Sequence, residues 1–390
     1  MIQLDYITTY DVFNPSSWPK QHTGMYTAGS YLSQELQAQD VTLNYLGPLE
    51  KYKTPVTRLK WLFYRKLFKQ DYYSWAEPMV LKYYAKQIEK KLSISTSNLA
   101  LCPENAIPFA YLKSPKPLVL WTDAPLGSLI NFYSYLNNLS GETTRNIYRL
   151  EKSAFDRCDR LIFTSDWAAE ESMKIYNLPS EKVSVIPWGA NLKSTRTLSD
   201  IELSIQNRNP DQCQLLFIGV DWERKGGDFA VEVAKNLNNA GVKTDLNVVG
   251  CQPPKWVSSL DFVNIIGYID KSTTSGQQQL DHLFSASHFL ILHTLADCSP
   301  HVLIEANSYG VPCVSTNIGG IPTIIQDGKN GKTFSLETES SVYSEYILEM
   351  LHNREAYQSL ALSSFQEYES RLNWKIAIRT FKTLIQELLG

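Results

Sequence analysis

Short apolar runs alternate with amphipathic stretches along this chain, and they fall into two series. In the first, Ile2–Thr8 reads as a strand, and Thr27–Gln37 as a helix after the loop NPSSWPKQHTGMY. Leu118–Trp121 is an apolar strand leading into TDAP. Ile147–Arg157 has helical spacing, and RLIFT (160–164) is a buried strand followed by a helix over Asp166–Tyr176. Val183–Ile186 closes the series at PWGAN. From Asn191 to Gln214 the pattern fades into polar residues and reads as a linker. The second series then begins with strands at LLFIG (215–219), DLNVVG (245–250), VNIIG (263–267), FLILHT (289–294) and Cys313–Thr316. Helices at Asp228–Asn239, Gln277–Ser287 and from Pro300 separate them. This alternation predicts two doubly wound parallel sheets, over 1–190 and 215–371, with 191–214 between them. The last stretch, Leu372–Leu389, is apolar at helical spacing. No strand follows it, and it is expected to pack back on the first domain as a helix over 372–390.

Ligands of such sheets bind at the carboxyl ends of the strands, so the loops there carry the candidate chemistry. In ADCSPHVLIEANSYGVP (296–312), Ser299 suits an N-cap and Pro300 the first helical position, while Gly310 and Pro312 mark the stop. Asp297 then lies in the loop and Glu305 in the second helical turn. The amides of His301, Val302 and Leu303 would form an anion seat. Carboxylates repel phosphate, so Asp297 and Glu305 are assigned to hydroxyl groups, and a nucleotide sugar carries both kinds of group. The same residues also suit an ordinary helix with a capping Ser and a solvent-facing Glu.

In VDWERKGGD (220–228), Arg224 and Lys225 place two cations just beyond Gly219, ahead of a helix for which Asp228 is a candidate cap. A fork and a point charge together suit a diphosphate. Gly250 and Gly267 end two further strands, Tyr268 and Ile269 could line a pocket for a base, and NIGGIP (317–322) pairs two glycines after a strand. In the first series, Gly24 falls in the loop after the first strand and Asp123 directly follows Leu118–Trp121.

Composition narrows the classes. With 43% hydrophobic and 20% charged residues, the chain can bury large cores, and a net charge of −3 with no binding motif argues against a nucleic-acid partner. The six cysteines lack zinc spacing, and the histidines at 282, 288 and 293 lack ligand spacing, so no metal is expected. With no signal-peptide pattern, the expectation is reduced thiols and a cytoplasmic location.

Together, FIGVDWERKGGD, ADCSPHVLIEANSYGVPCVSTNIGGIP and VSVIPWGAN resemble the family-4 glycosyltransferases of the GT-B fold. The resemblance is strong in the second series and weak before about Trp121. It implies two Rossmann-like domains facing a cleft, the first binding the acceptor and the second the nucleotide-sugar donor. It implies that Arg224 and Lys225 hold the donor diphosphate, that Asp297 holds the sugar, and that Glu305 holds the ribose. Ser299, His301, Val302 and Leu303 would lie beneath sugar and phosphate, and Gly24 near the phosphate. Asp297 stands where the family usually has Glu, Asp123 where many members carry His, and Thr23-Gly24 where paired glycines are usual.

The expected activity is therefore retaining, metal-free transfer of a hexose from a nucleoside diphosphate sugar to a hydroxyl of a glycan, glycolipid or small molecule. UDP-glucose is the favoured donor and GDP-mannose the alternative. A nucleotide-sugar epimerase, a phosphorylase, or a binding module without catalysis are the rival readings. RLKWLFYRKLFK (58–69) and KYYAKQIEKKL (82–92) interleave cations with aromatic residues. The segment 58–92 either meets an anionic membrane, where a lipid-linked acceptor would lie, or buries its aromatics against the first sheet.

Overall fold

The computed structural model describes residues 2–18, 23–192 and 196–389. The chain forms two units: Met1–Trp188 together with Trp374–Gly390, and Gly189–Asn373. Each contains a six-stranded parallel sheet flanked by helices, a Rossmann-like doubly wound arrangement.

In the first unit the strands are β1 (Gln3–Tyr6), β2 (Thr42–Tyr45), β3 (Leu99–Cys102), β4 (Leu118–Thr122), β5 (Arg160–Phe163) and β6 (Val183–Val185), in the order β2-β1-β3-β4-β5-β6. The winding direction reverses between β1 and β3. The core joins Leu4, Leu101, Val119 and Trp121 of the strands to Ala28, Leu32 and Leu36 of the helix Thr23–Ala38. The final helix, Trp374–Leu389, completes this core rather than that of the second unit. Its buried residues Trp374, Ala377, Ile378, Phe381 and Ile385 recur every three or four positions, and Phe381 stacks on Trp121 with ring centroids 5.4 Å apart. An apolar stripe at that spacing must be covered, and burial of each large side chain contributes about 1.5–3 kcal/mol.

The second unit contains β7 (Cys213–Ile218), β8 (Thr244–Val249), β9 (Val263–Gly267), β10 (Phe289–Leu292), β11 (Cys313–Thr316) and β12 (Gly331–Phe334), in the order β12-β11-β10-β7-β8-β9. Here the reversal lies between β7 and β10. All six cysteines are free and buried.

Three features differ from the sequence expectation. The stretch 191–214 is not a linker, because Leu198–Gln206 is a helix with a Thr197–Asp200 capping box. Ile201 and Ile205 enter the second core, and Arg208 is buried, donating to Tyr309 O (2.9 Å), Gly310 O (2.8 Å) and Tyr357 Oη (2.8 Å). The segment 58–92 behaves in two ways. The helix Pro78–Leu92 buries Val80, Leu81, Tyr84, Ala85, Ile88 and Leu92, whereas Pro55–Leu62 buries only Thr57. Finally, Gly24 is exposed and belongs to the first turn of the helix Thr23–Ala38, not to the loop before it.

Candidate active site

The second unit's site is built at its reversal point, where the loops after β7 and β10 diverge. Beyond β7, Asp221 caps a single helical turn, Trp222–Lys225, by accepting from the Arg224 amide at 3.1 Å. Gly226 ends the turn at φ +75°, and a Cβ there would lie 2.2 Å from the His293 carbonyl oxygen. Only glycine lets the β7 loop pass so close to the end of β10. The next helix is Gly227–Asn239, and Asp228 is not its cap. Its carboxylate instead accepts from Trp222 Nε1 at 2.9 Å.

Two bonds join the loops: the Leu295 amide and Thr294 Oγ1 donate to the Arg224 carbonyl at 2.8 and 3.1 Å. This places the cations around Asp297. Lys225 Nζ pairs directly with Asp297 Oδ2, its stem running over Gly219, where a Cβ would meet Lys225 Cγ at 2.8 Å. Arg224 donates to Ala296 O at 2.8 Å, with Asp297 Oδ2 3.6 Å and Asp221 Oδ2 3.5 Å from its guanidinium. The glycine pair of NIGGIP adds a third loop, since the Gly320 amide donates to Asp297 O at 3.2 Å. Asp297 and Lys225 are both buried, so their charges interact in a medium less screened than water. The contacts to Asp297 from Lys225, Arg224 and Thr294 all fall on Oδ2.

Glu305 lies in the helix His301–Asn307 and is only 2% exposed, which excludes the solvent-facing reading. Both its oxygens accept from Lys271 Nζ, at 2.6 and 2.7 Å. Lys271, in the loop after β9, was not singled out in the sequence, and its nearness to Tyr268 and Ile269 was the one available signal. Of those two, Tyr268 is exposed and Ile269 buried.

The helix start differs from its sequence reading. Pro300 is the cap residue, Ser299 Oγ is buried without a hydrogen-bond partner, and the Leu303 amide donates to Pro300 O at 3.1 Å. Proline at the cap leaves no side-chain oxygen to hold the first turn, so the backbone tightens on itself, and the seat proposed from three amides loses that of Leu303. Val302 lies half-buried beside His301. Burial lowers the His301 pKa to about 4, Glu305 and the Gly189 carbonyl opposing the shift. The ring is neutral at pH 7, and Nδ1, 3.2 Å from the Gly189 carbonyl oxygen, carries its proton. Gly250, at the end of β8, donates to Gly267 O at 2.8 Å, linking two of the predicted glycine loops.

In the first unit, Asp123 follows β4 and folds back locally, its carboxylate accepting from the Ala124 amide at 2.9 Å. The reversal point of this unit holds a group that sequence reasoning missed. Glu104, after β3, is 1% exposed and accepts from the Thr9 amide at 2.5 Å and from Thr9 Oγ1 at 2.6 Å. Burial pushes its pKa up to about 7, although the Thr9 bonds oppose the shift.

Comparison with known proteins bears on the second unit first. Residues 200–364, somewhat less than half of the chain, match the family model of Glycosyl transferases group 1. D-inositol 3-phosphate glycosyltransferase of Mycolicibacterium smegmatis is 23% identical over 185 residues, covering 46% of this chain and 43% of the relative. The chain spans about half the length of the curated relatives it matches. Among solved structures, sucrose-phosphate synthase from Thermosynechococcus elongatus superposes with a TM-score of 0.69 at 15% identity, covering 100% of this chain and 99% of its own. HepE of Anabaena, in complex with UDP-glucose, gives 0.62 at 13% identity, with coverage of 99% and 100%. At such identities the structures speak for the fold, and that fold is GT-B.

Proposed function

We propose that this chain, whose residues 200–364 match the model of Glycosyl transferases group 1, is a retaining, metal-independent hexosyltransferase of family 4. Its donor is a nucleoside diphosphate sugar, UDP-glucose before GDP-mannose, and its acceptor a hydroxyl assigned to the first unit. The observation that carries the reading is the cluster at the β7/β10 reversal, where Arg224 and Lys225 converge on Asp297. That crevice is where doubly wound sheets bind nucleotides.

Both cations are already neutralised by carboxylates, Lys225 by Asp297 and Arg224 by Asp221 and Asp297. An entering diphosphate would take the place of the Asp297 oxygen on Lys225. The freed carboxylate could then accept from a hydroxyl of the sugar. In the same way, ribose hydroxyls would displace Lys271 from Glu305. In transfer, the bond from the anomeric carbon to the diphosphate oxygen breaks and a bond to the acceptor oxygen forms on the same face. The acceptor proton passes to the departing diphosphate. Negative charge grows on that leaving oxygen, and Arg224 and Lys225 would stabilise it, at about 3 kcal/mol lost per donor removed.

Binding can be tested before any acceptor is known. A panel of nucleotide sugars is screened by thermal unfolding, because a ligand at a hundredfold its Kd stabilises by about 2.7 kcal/mol. One UDP- or GDP-sugar is expected to raise Tm by several degrees, and Arg224→Met to lose most of that shift. No stabilisation by any member of the panel would overturn the donor assignment.

A further inference from the structure

The helical segment that starts at Pro55 is turned inside out. An α-helix over Pro55–Leu62 runs into a π-helical turn over Phe63–Phe68, ended by Lys69 in the left-handed conformation at φ +57°. Its inward contacts are polar, apart from the Tyr64 ring, which stacks on buried Tyr72 with centroids 5.7 Å apart. Thr57 is buried, Lys60 donates to Glu77 (3.0 Å) and Glu142 (2.6 Å), and Tyr64 donates to Glu142 at 3.0 Å. Apolar residues are left exposed along it: Leu59, Phe63 and Leu67, which recur every four positions, are 65, 51 and 67% exposed, Phe68 is 53% and Trp61 44% exposed. Phe63 and Phe68 touch each other edge to face, their centroids 5.1 Å apart. A helix in water normally buries this face, and contiguous apolar exposure marks an interaction surface.

The charge beside it says what covers it. Between Lys51 and Gln70 there are seven Lys and Arg and no Asp or Glu, in a chain of net charge −3. Lys60 and Arg65 are taken up by Glu77, Glu142 and Asp71. Among the described residues, Lys51, Lys53, Arg58, Lys66 and Lys69 make no ion pair. A second copy docking by two-fold symmetry would set this cationic patch against itself. An anionic bilayer meets both requirements, taking the aromatic and leucine side chains into its interface and the cations onto its headgroups.

We infer that Pro55–Lys69 is a membrane-docking element that inserts its apolar face into anionic lipid. No described helix is long and apolar enough to cross a membrane, and the docking inferred is peripheral. It does not rest on the transfer reading, because lipid binding is measured without donor or turnover.

The test uses the full chain with vesicles of phosphatidylcholine, with and without phosphatidylglycerol. The protein should sediment with the anionic vesicles, at least tenfold more weakly with neutral ones, and be released as salt rises. Brominated lipid should quench Trp61 fluorescence, and Trp61→Phe should lose that component. Leu67→Ser combined with Phe68→Ser should cut partitioning roughly tenfold or more while leaving Tm unchanged, since both side chains are exposed. Equal sedimentation with both vesicle types, or undiminished binding by the double variant, would overturn the inference. So would light scattering that shows a dimer which the double variant converts to monomer.

Discussion

Asp297 and Glu305 differ in their surroundings, and the difference separates their roles. Asp297 meets two cations from the β7 loop, whereas Glu305 meets Lys271 from the β9 loop. On the proposed mechanism Asp297 holds the sugar that reacts, so Asp297→Asn should leave binding of the free nucleoside diphosphate nearly intact and slow turnover. Losing one charge-assisted hydrogen bond, about 1.5–3 kcal/mol, corresponds to roughly a tenfold to hundredfold drop in kcat. Glu305→Gln should instead weaken both donor and free nucleotide. Calorimetry beside steady-state kinetics checks this, and the reverse pattern would overturn the division. At this scale much of the candidate site was legible, because Arg224, Lys225, Asp297 and Glu305 sit in short segments punctuated by Gly and Pro. Lys271 was not, since its partner is 34 residues away and nothing local marks the pair.

At the level of elements, the same blindness hid Glu104, whose partner Thr9 is 95 residues away. The pair clasps the loops after β1 and β3 and couples the first unit's stability to pH. Because the folded pKa of about 7 exceeds that of an exposed carboxyl, the native state prefers the protonated form. The stability this contributes is complete below about pH 4.5 and is lost as pH rises through 7. Glu104→Gln can keep both Thr9 bonds without ionising. Its Tm should match the wild type near pH 4 and exceed it by several degrees at pH 8, reflecting about 3 kcal/mol. A difference that stays constant from pH 4 to 8 would contradict this. Among the elements themselves, Asp166–Tyr176 and Cys313–Thr316 were read to the residue. Three strands escaped. Thr42–Tyr45 and Gly331–Phe334 are edge strands with few buried positions, and Leu99–Cys102 is too short for its Leu-Ala-Leu to be told from a helical turn. Leu198–Gln206 escaped because only two of its residues, Ile201 and Ile205, reach the core.

For the whole molecule, two doubly wound units emerged from alternation alone, and the returning helix Trp374–Leu389 from a stripe with no strand after it. What alternation could not reveal was the inverted face at Pro55–Phe68, because periodicity reports amphipathicity and not which side faces the core. Metal-free transfer from a nucleoside diphosphate sugar, with retention, is the proposal on which the roles of Arg224, Lys225 and Asp297 rest. It is tested most directly by incubating the protein with UDP-glucose in excess EDTA, with water as the surrogate acceptor, and following the anomeric protons by NMR. UDP should be released at a rate that EDTA does not alter, with α-glucose appearing before its β anomer. Release that stops on chelation and returns with manganese, or β-glucose appearing first, would contradict it.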